Sequence, residues 1–136
     1  MRTTAARPGI ARPVAIALAA VLAAMAPSAS RACGACVEDI IAATYDHSVV
    51  ERAAASGEVV VFCAVTGTLD AQRLKEAVRR VRGVQPRSVR VSAQPAAVSF
   101  AVDASVTSPQ AAVEAAQRRL APGTRVSIVR LQARFD

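Results

Sequence analysis

The stretch Glu58–Gly83 reads EVVVFCAVTGTLDAQRLKEAVRRVRG, and its two halves carry different hydrophobic periods. From Glu58 to Thr66 the chain is almost wholly Val, Phe, Cys and Ala, the pattern of a strand buried on both faces. Gly67-Thr68-Leu69-Asp70 turns the chain. Leu74, Ala77, Val78 and Val81 then recur at helical spacing up to Gly83, a residue type suited to the position after a helix end. A strand and a helix joined this closely predict one half of a strand–helix–strand unit.

The remainder completes that unit and repeats it. Ser88 to Ser92 alternates with Val89 and Val91 on one side, and Gln94-Pro95 is turn chemistry. Val98, Phe100 and Val102 alternate in the next strand. Ser108 then caps a helix with Pro109 at its first position, where the missing N–H costs nothing. Val113, Ala116 and Leu120 face inward there, Pro122-Gly123 stops it, and Arg125 to Leu131 is the last strand. The order β-α-β-β-α-β predicts an α+β fold, the ferredoxin-like sandwich of a four-stranded antiparallel sheet with two helices on one face. Val59, Val61, Cys63 and Val65 make one side of the first strand, Val60, Phe62 and Ala64 the other. The sheet's second face therefore needs a cover, from the leading segment or from a second subunit such as a homodimer partner.

That leading segment, residues 33–57, reads as an extra amino-terminal helix of about six turns, with a break admitted near Tyr45-Asp46. At roughly 100° per residue, Cys36, Ile40, Ala43, His47, Val50 and Ala54 form one stripe, and Gly57 closes the helix.

Upstream, residues 1–32 hold Arg2, Arg7, Arg12 and Arg31 and no acid, with an apolar run from Val14 to Met25. A membrane-spanning helix needs roughly 20 apolar residues, so this run suits a cleavable export signal better than an anchor. Cleavage after Ala32 makes Cys33 the new amino terminus and delivers the domain to the periplasm or medium. Ser30 is a poor match to a lipoprotein signal, so no permanent membrane anchor is expected. The chain's charge of +7 loses four arginines with the signal, leaving thirteen basic and ten acidic residues. With aromatic residues at 3%, nucleic acid is not an expected partner.

Residues 58–131 resemble the heavy-metal-associated domain of copper chaperones and mercury-binding periplasmic proteins. The likeness rests on Gly67, on Leu74, Ala77, Val78 and Val81 leading to Gly83-Val84, on the Val-rich middle strands and on the Ser108-Pro109 helix start. The resemblance implies a fold built for soft-metal handling. That family holds its metal on two cysteines in the loop after the first strand, and the matching positions here are Gly67 and Asp70. The loop therefore lacks the family's donors.

The thiol pair stands elsewhere, in Cys33-Gly34-Ala35-Cys36 at the start of the leading helix. A helix start offers free N–H groups and a partial positive charge that stabilise thiolate. Two thiolates at this spacing suit Cu(I) or another soft ion, and the free amine of Cys33 would add a donor. A disulfide within the pair, and thiol–disulfide exchange, are the alternatives. Cys63 is read as a small buried hydrophobe, or as a third thiolate if the leading helix crosses its sheet face. His47, eleven residues from Cys36 or about 16 Å along an unbroken helix, is read as packed, or as a metal ligand if the helix breaks. Tyr45, Asp39 and Asp46 are read as ordinary surface residues.

One histidine, no glycine-rich phosphate loop and no paired carboxylates leave no nucleophile–base arrangement, so an enzyme is not expected. Metal binding or trafficking is the leading expectation. A non-catalytic adaptor domain with a structural Cys33–Cys36 bond, working through the open sheet face, and a thiol-exchange protein stand beside it.

Overall fold

The computed structural model describes residues 35–133. In chain order the elements are α1 (Val37–Thr44), α2 (His47–Ser56), β1 (Val59–Gly67), α3 (Ala71–Arg79), a 3-10 turn at Pro86–Ser88, β2 (Arg90–Ala93), β3 (Ala96–Val102), α4 (Pro109–Gln117) and β4 (Thr124–Gln132). The fold is α+β, with one four-stranded antiparallel sheet in the order β2-β3-β1-β4. The export signal expected over residues 1–32 lies outside the described residues. No described helix is long and apolar enough to cross a membrane.

Three of the four helices, α2, α3 and α4, begin where a side chain satisfies their first free N–H groups. Asp46 Oδ1 accepts from Ser48 N at 2.9 Å and Val49 N at 3.3 Å. Asp70 Oδ1 accepts from Arg73 N at 3.0 Å, and Ser108 Oγ from Ala111 N at 3.1 Å. Gly57 closes α2 in the left-handed region at φ 71°, as its position predicts.

β1 is central and apolar on both sides because both sides are covered. Val61, Cys63 and Val65 join Leu74, Val78, Phe100, Val113 and Ala116 in the core beneath α3 and α4. Val60 and Phe62 point the other way, into a second core with Ala101 and with Val49 and Ala53 of α2. Of the two covers expected for this face, the leading segment or a second subunit, the leading segment supplies it. Ser99, on that face, donates its hydroxyl to the Thr44 carbonyl at the end of α1 (2.9 Å).

The break admitted near Tyr45-Asp46 is present and divides the leading segment into two helices, which changes its inward face. The chain is extended at Tyr45 and Asp46, and α2 starts afresh with Asp46 as its cap. The break rotates the second half, and the buried positions are Ile40 and Thr44 on α1 and Val49 and Ala53 on α2. Ala43 and His47, placed inward by an unbroken phase, are exposed.

Candidate functional site

Cys36 is the residue immediately before α1, and its side chain is exposed. Its Sγ donates to Asp39 Oδ2 at 3.0 Å, one helical turn on. Asp39, read from sequence as an ordinary surface acid, is therefore part of the surroundings of Cys36. The signal was its three-residue spacing from Cys36, which puts both on one side of the first turn. A groove of about 450 Å³ is lined by Ala35 and Ile40 of this segment, by Ala64, Gln94 and Pro95, and by others at the β2–β3 turn, though not by Cys36 or Asp39 themselves. The helix holding Cys36 is anchored by buried Ile40 and Thr44. Cys33 lies outside the described residues.

Cys63 is fully buried, and burial pushes its thiol up to about 12. It sits in the core beneath α3 and α4, on the side of β1 opposite the leading helices. The condition for its joining Cys36, that the leading helix cross its own face, is not met. Strand alternation decides this: β1 turns even-numbered residues 60 and 62 toward α2 and odd-numbered 61, 63 and 65 away.

His47 is neither packed nor half-buried. Its ring is exposed at the start of α2, with Nε2 3.0 Å from Glu51 Oε1 and Nδ1 3.5 Å from the Tyr45 hydroxyl. The break that was to bring it near Cys36 is present, yet its neighbours are Tyr45 and Glu51. Among the described residues no three His, Cys, Asp or Glu side chains gather as a metal cage. The structure therefore does not bring Cys36, Cys63 and His47 together.

Asp46 is also more than a surface acid. Besides capping α2 it meets Arg90 of β2, at 2.8 Å from Nη2. Its hydrogen bonds from Ser48 and Arg90 hold its carboxyl down at about 2. The loop after β1 is occupied by backbone duties. Gly67 has φ +85° and packs against the Gly123 carbonyl, while Asp70 caps α3.

Comparison with known proteins finds no matching family model, no similar curated protein and no similar solved structure.

Proposed function

We propose that this chain is an exported soft-metal-binding or trafficking domain of ferredoxin-like architecture, related to the heavy-metal-associated domains. In this reading Cys33 and Cys36 hold Cu(I) or a similar ion at the start of α1. The single observation that carries the reading is the exposure of the Cys36 thiol on a helix whose other side is pinned to the sheet. A two-coordinate thiolate site needs reachable sulfur on a fixed support, and soft ligands select soft ions. The burial of Cys63 leaves Cys36 as the exposed thiol among the described residues, and in this reading Cys33 is its partner. His47, held by Glu51 and Tyr45, is the weaker candidate for a further ligand.

A second reading, thiol–disulfide exchange, draws on the mainly apolar groove lined in part by Ala35 and Ile40, which would seat a chain carrying the partner thiol. The adaptor reading loses its main support, since α2 covers the sheet face it was to use.

The test is anaerobic Cu(I) titration of the purified reduced chain. Uptake of about one equivalent, abolished by Cys33→Ser with Cys36→Ser and kept by Cys63→Ser, is the expected result. Unchanged uptake in the double variant would end the metal reading. Reduction of a test disulfide without metal uptake would select the exchange reading.

A further inference from the structure

Glu58 is the polar residue whose placement the proposed metal site leaves unexplained. It precedes β1 and is 9% exposed. Its Oε1 accepts from Gln85 Nε2 at 2.7 Å, and it forms no ion pair among the described residues. A residue this enclosed ordinarily turns its carboxylate to a cation, to several donors or to water. Here the single partner is a neutral amide.

The carboxyl opens into a cavity of about 240 Å³ between the end of α2 and the Pro86–Ser88 turn. Ala53 and Ala101 supply apolar wall, and Arg52 and Arg87 stand at its edge. Glu58 Oε2 has no protein partner among the described residues, and no buried side-chain oxygen lacks one, so this oxygen is reachable from the cavity. Gln85 Oε1 is a second unused acceptor beside it. The Arg87 guanidinium has no partner among the described residues, while Arg52 is tied to Ser48 through Nε at 3.0 Å. A carboxylate oxygen on largely buried Glu58, the amide oxygen of exposed Gln85 beside it and the unpaired guanidinium of exposed Arg87 match a cationic head joined to an anionic one.

We propose that this cavity binds a small zwitterion of the α-amino acid class, its ammonium on Glu58 and Gln85 and its carboxylate on Arg87. Typical ligand pockets start at roughly 300 Å³, so a cavity of 240 Å³ selects a compact side chain that rests on Ala53 and Ala101. The site is independent of the thiol site. Glu58 and the groove at Thr66 lie at opposite ends of β1, about 25 Å apart.

Isothermal titration calorimetry of the purified chain with glycine, L-alanine and L-serine tests it, with ethylamine and acetate as half-ligands. At least one amino acid should bind saturably, with a Kd of roughly millimolar or tighter, and each half-ligand at least about tenfold more weakly. Glu58→Gln keeps an acceptor for Gln85 and removes the charge. Arg87→Ala changes an exposed residue and leaves the core intact. Each should weaken binding at least about tenfold with unchanged circular dichroism. Should Glu58→Gln fail to fold, Arg87→Ala decides alone. Absence of saturable binding, equal binding of a half-ligand, or full affinity in a folded variant overturns the proposal.

Discussion

Replacing Phe62 by Ala tests the feature on which the position of Cys36 depends, the docking of the leading helices on the sheet. Phe62 is 1% exposed and lies against Val49 and Ala53 of α2. Truncating a phenylalanine enclosed on all sides costs about 3–5 kcal/mol, from lost transfer energy and the cavity left behind. The same change on a sheet face open to water stays within about 0.5 kcal/mol. Domains of this size have about 5–15 kcal/mol in total, so the variant should fold but sit close to its limit. At about 4–8 °C per kcal/mol the expected fall in Tm is on the order of 20 °C. Urea unfolding followed by circular dichroism gives the free energy. Hydrogen exchange at the amides of Val49 to Ala53 should accelerate more than exchange in α3 and α4. Phe100→Ala, in the core beneath α3 and α4, should cost as much without that selective loosening of α2. A cost for Phe62→Ala below about 1 kcal/mol, with α2 protected as before, would refute the packing argument.

Three further outcomes follow from single observations. Gly67→Ala should destabilise strongly in thermal melts, since a Cβ there collides with the Gly123 carbonyl and φ is +85°; an unchanged Tm would contradict the close approach. In native, reduced protein, iodoacetamide at pH 8 should label Cys36 and spare Cys63, whose thiol is held at about 12, until denaturant is added. Equal labelling of both under native conditions would count against the burial of Cys63. Asp46 titrates at about 2 in the folded chain, below the carboxylate range of an unfolded one. Its contribution is therefore full above about pH 4 and lost as pH falls toward 2. The acid-induced loss of stability over that window should be smaller in Asp46→Asn, and an identical pH profile would argue against the bond network.

How much of this was legible in the sequence depends on whether a residue's role is set by its near neighbours. Leu74, Ala77, Val78 and Val81 are all buried where their helical spacing put them, and Ser108 caps α4 as its place before Pro109 implied. Both follow from local periodicity and local hydrogen bonding. Past Tyr45-Asp46 the stripe fails because that extended pair rotates everything after it, while before the break α1 buries Ile40 and Thr44 and leaves Ala43 exposed. Asp46 was the available signal, since an aspartate two and three residues before free amides is a helix start. Val89, read as part of a strand, instead follows the 3-10 turn of Pro86–Ser88, although it is buried as its apolar character suggests. Glu58 had no local signature at all. Its partner Gln85 is 27 residues away, and only the antiparallel sheet brings them together.

The loop after β1 explains why chemistry at this end of the molecule would fall to the leading helix. A thiolate pair in that loop would need side chains at positions 67 and 70 free to turn toward an ion. Position 67 is a glycine in the left-handed region pressed against the Gly123 carbonyl, leaving no room for a Cβ, still less for a sulfur beyond it. Position 70 is an aspartate whose oxygen holds the first turn of α3, and the neighbouring Thr68 carbonyl accepts the Thr124 hydroxyl at 2.6 Å. The loop is thus committed to joining β1, α3 and β4. Cys36 carries no comparable duty, for α1 starts without a side-chain cap and its thiol meets only Asp39. A cysteine at that position can take up a ligand without dismantling the fold.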